Sequence, residues 1–268
     1  MEKRDVRGLW ALVVTCVAVS ASLFHIYALG LVATGMWQLR VIHLLVVLIL
    51  GPILYKGWRG APPRKLSWVD LLMIMAGIAA TIYALIEEEG LAWRENIAPT
   101  TGDILFGTIL LILIIELTRR SLGWPLVILI FVFLGYSLFA SYLPGVLKSK
   151  SYEYSRMISH IFSIDGFYGI PIGASATYCY LFILFGAFLH ASRVGDFFID
   201  LSYALAGRTR GGPAKVAIFA SALMGTISGS GIANVVTTGS LTIPLMKRTG
   251  FQPRFAGAVE AAASTGGQ

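Results

Sequence analysis

Two short stretches of the chain concentrate oxygen-bearing side chains and glycine within apolar surroundings. Ser228-Gly229-Ser230-Gly231, with Asn234 just after it, interrupts the apolar run between residues 216 and 246. Ser264-Thr265-Gly266-Gly267 interrupts a run of small residues. A helix broken at such a point frees backbone carbonyls, and serine, threonine and asparagine add hydroxyl and amide oxygens. Oxygen-only donors suit a hard cation, and helix breaks at mid-membrane are where such sets are built, with half-helix N-termini favouring anions instead. The same residues also suit close helix packing, because Gly225 and Gly229 stand at small-xxx-small spacing. On the residues alone, both readings stand.

The other chemistry-bearing residues point to less. Glu260 is an acid inside a small-residue helix, which makes it a functional candidate by default. It lies too far along the helix from Thr265-Gly266 to act as a ligand there, and a pair with Lys247 or Arg254 near the interface is expected. Glu116 precedes Arg119 and Arg120 by three and four residues, the spacing of an interfacial ion pair on one helix. Cys16 and Cys179 sit in apolar runs as small hydrophobes. His25, His43, His160 and His190 lack metal-ligand spacing, and no Walker-type phosphate loop is present. No nucleophile–base pair or metal-ligand set is visible at membrane depth, so an enzyme is not expected.

The elements that must carry these residues are membrane helices. Of the 268 residues, 56% are hydrophobic and 13% charged, about half the charge usual in soluble domains. Runs such as 104–117 do not alternate as barrel strands would, which selects a helical bundle. The expected fold is all-α and polytopic, with six spans near 9–29, 39–55, 68–86, 103–118, 123–143 and 166–190. The first is read as a retained helix, since its apolar run exceeds a usual signal sequence and no clear cleavage site follows.

Lys and Arg lie in the connections rather than on one face, which excludes a nucleic-acid partner and gives the orientation instead. With the N-terminus in the cytoplasm, 16 of the 21 Lys and Arg fall on the cytoplasmic side. That count requires residues 216–246 to enter the membrane and return to the same side. A re-entrant hairpin with limbs of about 20 Å fits, its tip at the Ser228–Gly231 break. The preceding stretch, from Arg193 to Lys215, has Phe197, Phe198, Leu201 and Leu205 at helical spacing and Asp196 and Asp200 on another face, as expected of an amphipathic arm helix at the interface.

Four blocks carry a family resemblance. They are Gly211-Gly212-Pro213-Ala214-Lys215-Val216, then Gly225-Thr226-Ile227-Ser228-Gly229-Ser230 with Asn234, then Ile243-Pro244-Leu245-Met246-Lys247-Arg248-Thr249-Gly250, and the final stretch from Phe255 to Gln268. Together they resemble the fused permease subunit of tripartite ATP-independent periplasmic (TRAP) transporters. Weaker likeness extends back to Glu116 with Arg119-Arg120, Pro144-Gly145 and the Gly166–Gly186 span.

The resemblance implies a sodium-coupled, elevator-type importer in the bacterial inner membrane, taking an organic acid from a periplasmic solute-binding protein. Residues 1–120 would be the small four-helix scaffold portion, and 121–268 the N-terminal part of the large transport subunit: two spans, the arm, the first hairpin and the start of the next helix. It favours a sodium site at Ser228, Gly229, Ser230 and Asn234 with Thr265, Gly266 and Gly267, and no other cofactor. A proton-coupled or uncoupled permease, or a non-transporting scaffold or assembly protein, is the alternative. Two departures from the family pattern stand out. Gln268 falls inside a motif that continues in relatives, so the second hairpin is expected beyond it, and Gly231 occupies a tip position where a bulkier small residue is usual.

Overall fold

Runs of apolar residues form helices wherever they are long enough to satisfy their own backbone. The computed structural model describes every residue except 1–2, 33, 59, 61–64, 96, 230 and 267–268, and describes His190, Ser228, Ile232 and Ala233 by their backbone alone. The chain is all-α. Six helical runs among the described residues are long and apolar enough to cross a membrane: Leu9–Gly30, Met36–Leu54, Trp68–Ile86, Thr101–Ser121, Trp124–Tyr142 and Ile170–Leu189. All six fall within a few residues of the spans expected from hydropathy.

Two compact units divide the chain, Met1–Tyr178 and Cys179–Gln268. The first contains α1 (Leu9–Gly30), α2 (Met36–Leu54), α3 (Trp68–Ile86), the short α4 (Glu88–Arg94), α5 (Thr101–Ser121), α6 (Trp124–Phe139) and α7 (Tyr154–Ile161). It ends in the turn α8 (Ile170–Ala174), which runs into a π-helical segment at Ser175–Cys179. Its core lies where α2, α3 and α5 meet, around Val41, Leu44, Leu48, Met73, Leu110 and Leu113. Gly77 permits the approach of α2 and α3, because a Cβ there would sit 3.1 Å from Leu48 Cβ.

Polar contacts stitch both ends of this packing. At α3, Ser67 and Asp70 form a capping box, and at α5 Thr100 and Asp103 form another. Each capping acid does double duty. Asp70 takes Arg120 Nη1 at 2.6 Å and Arg4 Nη2 at 2.7 Å, all three side chains being buried. Asp103 takes Arg94, and Tyr83 donates its hydroxyl at 2.7 Å. Hydrogen bonds from Arg94 to Asp103, and then to Glu87, push the pKa of this guanidinium above its ordinary value. The expected Glu116 pair forms with both Arg119 and Arg120. Arg119 also reaches the main-chain oxygen of Gly57.

The N-terminal strand of chain is held to the same end. Lys3 pairs with Tyr55 in a β-bridge, and the Arg4 amide donates to the Leu54 oxygen at 2.8 Å. Helix α1 buries only Ala21, His25 and Ala28. His25 Nε2 meets His43 Nδ1 at 3.0 Å, and His43 Nε2 meets Ser175 Oγ at 3.0 Å. Helix α6 buries only Val127, and most of its large apolar side chains are exposed.

The second unit contains α9 (Tyr180–Ala191), α10 (Val194–Ala206), α11 (Gly212–Ser228), α12 (Gly231–Arg248) and α13 (Pro253–Thr265). Helix α10 is the expected arm. It packs on α11 with Ser202 and Ala206 buried, while Phe197, Tyr203 and Leu205 remain exposed. Helix α10 ends at Ala206, the left-handed Gly211 (φ 75°) precedes α11, and Pro213 stands in the first turn of α11, where its missing N–H is harmless. The small apolar core beneath combines Ala217, Met246 and Ala256.

Candidate functional site

Helices α11 and α12 form an antiparallel hairpin. Ser221 Oγ lies 3.2 Å from Thr238 Oγ1, and these residues stand equally far from the turn on the two limbs. The limbs are longer than the expected length of about 20 Å, at 17 and 18 residues. Helix α11 already starts at Gly212, and α12 continues through Pro244 to Arg248. At about 1.5 Å per residue each limb is roughly 26 Å long. The break between them is correspondingly short: helix α11 ends at Ser228, Gly229 is left-handed at φ 57°, and Gly231 already belongs to α12. Glycine is the residue that adopts this conformation without strain.

Behind the turn lies a polar cluster that sequence reasoning missed. Its centre is Glu260 of α13, which is fully buried. Its Oε1 accepts hydrogen bonds from Ser221 Oγ at 3.1 Å, from Ser264 Oγ at 3.2 Å and from Thr238 Oγ1; its Oε2 accepts one from Thr242 Oγ1. Ser221 and Ser264 also meet, Oγ to Oγ, at 2.9 Å. All five residues are at most 1% exposed. The expected pair of Glu260 with Lys247 or Arg254 is not made. Those bases stand at helix ends, while the acid is buried between three helices, where hydroxyls satisfy it. Buried polar atoms need such partners, since an unsatisfied one costs about 1–3 kcal/mol. Gly239 provides the room, because a Cβ there would lie 3.0 Å from Glu260 Cγ.

The sequence-predicted residues divide around this cluster. Asn234 is fully buried on the second limb and donates its amide to the Ser221 oxygen at 2.8 Å. Thr238 Oγ1 contacts the Asn234 Oδ1 only at 3.5 Å. Asn234 and the end of α13 are thus brought to one neighbourhood through Ser221 and Ser264. Thr265 is not brought in: its side chain is exposed and its hydroxyl returns to the Ala261 oxygen. Gly266 closes α13, its amide reaching the Ala263 oxygen at 3.2 Å. Gly229 takes the Gly225 oxygen at 3.0 Å, and the carbonyls of the last turn of α11 beyond it have no N–H partner within that helix. The backbone of Ser228 lies at that end; its side chain, Ser230 and Gly267 fall outside the described residues.

An apolar cavity of about 490 Å³ adjoins the turn within this unit, lined among others by Phe182, Ile183, Met224, Ile227 and Gly229. Among the described residues no group of three His, Cys, Asp or Glu side chains converges as a transition-metal site would require. What the site offers is oxygen: an amide, hydroxyls and helix-end carbonyls.

The family model of the DctM component of tripartite ATP-independent periplasmic transporters matches residues 109–268. The chain belongs to this family. The match covers the whole hairpin, α13 and both preceding spans, so the DctM portion contains every residue of the cluster. Relatives include the C4-dicarboxylate TRAP transporter large permease protein DctM of Pseudomonas aeruginosa, 37% identical over 31% of this chain and 20% of its own length. The isethionate TRAP transporter permease protein DctMQ of Oleidesulfovibrio alaskensis is 38% identical over 38% of this chain and 15% of its own length. A putative TRAP transporter large permease protein of Haemophilus influenzae is 36% identical over 26% of the chain and 16% of its own length. The matched stretch of this chain thus spans a fifth or less of each relative. No solved structure matches the chain. This DctM-family chain is a multi-pass membrane protein, and these three relatives are TRAP transporter permeases.

Proposed function

We propose that the chain forms part of the permease of a sodium-coupled TRAP transporter, which imports an organic acid handed over by a periplasmic solute-binding protein. The observation that carries this reading is the DctM match falling on a hairpin whose buried polar groups are oxygen donors throughout. Two relatives are named for C4-dicarboxylate and isethionate, which supports a small organic acid as the solute class.

Residues 1–120 are the small-subunit scaffold portion and residues 121–268 the beginning of the transport subunit, which moves as an elevator. The family match beginning at residue 109 supports a division near there. Both ends of the scaffold portion lie in the cytoplasm, in the inner membrane of a bacterium. The ties of Arg4 and Arg120 to Asp70, and of Lys3 to Tyr55, support this by gathering the Lys- and Arg-rich connections at one end of the first unit.

The donor set fits sodium. A hard monovalent cation takes oxygen ligands, and Asn234 Oδ1, the carbonyls ending α11 at Ser228 and the backbone ending α13 at Gly266 are of that type. The amide hydrogen of Asn234 is already committed to Ser221, which turns its oxygen to other partners. Ser230 and Gly267 complete the proposed set. Sodium binding there would tie the hairpin tip to α13 and so couple the ion to the state of the transport unit.

The test is uptake into proteoliposomes containing the permease encoded by the complete gene. Solute should enter when its binding protein is supplied outside and should not enter, or enter only slowly, without it. Uptake that binding protein leaves unchanged would contradict the proposal.

A further inference from the structure

We propose that Glu260 is the positioning residue that sets the sodium affinity of the hairpin, acting through its hydroxyl partners and not as a ligand. This rests on the sodium reading above. A single carboxyl group fixes four points on three helices: Ser221 on the first limb, Thr238 and Thr242 on the second, and Ser264 on α13. Two of those points are immediate neighbours of the proposed ligands. Ser264 is in the last turn of α13 before Gly266, and the Ser221 oxygen holds the Asn234 amide. Thr238 adds a third link, its Oγ1 lying within hydrogen-bond distance of both the Asn234 main-chain oxygen and Glu260 Oε1, either of which can accept its one proton.

The consequence is geometric. An ion site built from backbone and amide oxygens on three separate helices works only if those helices keep their spacing, because the oxygens cannot adjust as long side chains do. Here the spacing is set from behind, by a carboxyl group with no Lys or Arg partner among the described residues. Gly239 lets α12 close onto that group. Thr242 sits three turns from the tip and holds only the Oε2 side. It therefore contributes to the fold of the hairpin more than to the register of its ligands.

Glutamine can keep most of this network. Its oxygen takes the place of Oε1 toward Ser221, Thr238 and Ser264. Its amide donates to Thr242 Oγ1, whose one proton then turns from the carboxyl to the Thr238 main-chain oxygen 3.0 Å away. Alanine keeps none of it and leaves four buried hydroxyls without their shared acceptor.

The experiment measures sodium binding without transport, as the rise in unfolding midpoint of the purified complete permease with NaCl, against KCl at equal ionic strength. Glu260→Ala should weaken the apparent sodium affinity by about tenfold or more, and Glu260→Gln should restore it to within about threefold of wild type. Ser264→Ala, which removes one hydroxyl and no bulk, should weaken sodium by about threefold to tenfold with little change of the midpoint in KCl. Unchanged sodium affinity in Glu260→Ala overturns the inference, as does Glu260→Gln proving as damaging as alanine. Should Glu260→Ala not fold, an unchanged sodium response in Ser264→Ala overturns it equally. A wild-type midpoint that responds to NaCl and KCl alike would instead remove the sodium reading itself, and this inference with it.

Discussion

Asn234 donates its side-chain amide to the main-chain oxygen of Ser221, 2.8 Å away across the hairpin, and both residues are completely buried. Such a side chain ties the two limbs through its nitrogen, while its oxygen faces Thr238 Oγ1 at 3.5 Å. Asn234→Asp replaces the donor with an oxygen that faces the Ser221 carbonyl. It should destabilise the hairpin by about 1–3 kcal/mol, because a buried acceptor loses its partner. Limited proteolysis of the loop around Gly250, with and without sodium, reads this out. Equal protection of wild type and Asn234→Asp would contradict the bridge.

The ion pair of Asp70 with Arg120 and Arg4 predicts a larger effect. All three side chains are buried to within 2%. Asp70→Asn keeps the capping geometry of α3 but leaves two buried guanidinium groups facing a neutral amide. Breaking a buried pair from one side costs about 3–5 kcal/mol. The midpoint of thermal unfolding in detergent should drop markedly for Asp70→Asn. The reduction should be smaller for Arg119→Gln, whose pair with Glu116 is partly exposed.

Pairing of the hairpin limbs is open to direct cross-linking. Ser221 Oγ and Thr238 Oγ1 lie 3.2 Å apart, so cysteines at both positions should reach disulfide geometry. Cys16 and Cys179 are exposed and free, and both must first be replaced. Oxidation of Ser221→Cys/Thr238→Cys should give an intramolecular disulfide detectable by mass spectrometry. Its absence, with both thiols still free after oxidation, would mean a different register.

Topology gives a further check. Single cysteines at Gly60 and Gly250 should react with an impermeant thiol reagent from the cytoplasmic side, and those at Gly90 and Ser151 from the periplasmic side. Labelling of Gly60 and Gly250 from opposite faces would show that α11 and α12 do not enter and return on one side.

The spans were legible because one property, a run of apolar residues long enough to cross the hydrocarbon core, determines them. The hairpin was legible from a glycine–serine break between two apolar limbs combined with the charge count. The lengths of its limbs were not, since Gly212-Pro213 and Pro244 read as boundaries, whereas the first opens a helix and the second lies inside one. The role of Glu260 was hidden because its partners come from other helices, Thr242, Thr238 and Ser221 being 18, 22 and 39 residues away. The signal available was local: Thr238 and Thr242 place two hydroxyls on one face of α12, and Ser264 follows Glu260 by four residues. Hydroxyls at that spacing beside an intramembrane acid point to a satisfied carboxyl more directly than a distant lysine does. The meeting of His25 with His43 was equally invisible, because nothing in their spacing shows that α1 packs on α2.

Sodium-driven uptake tests the central claim most directly. The complete permease is reconstituted in proteoliposomes with its binding protein and labelled solute outside, and an inward gradient of sodium, of potassium or of protons is imposed in turn. The account predicts accumulation above the external solute concentration with the sodium gradient alone, abolished when an ionophore collapses that gradient. Accumulation that follows the proton gradient, or solute that merely equilibrates whichever ion is supplied, would contradict it.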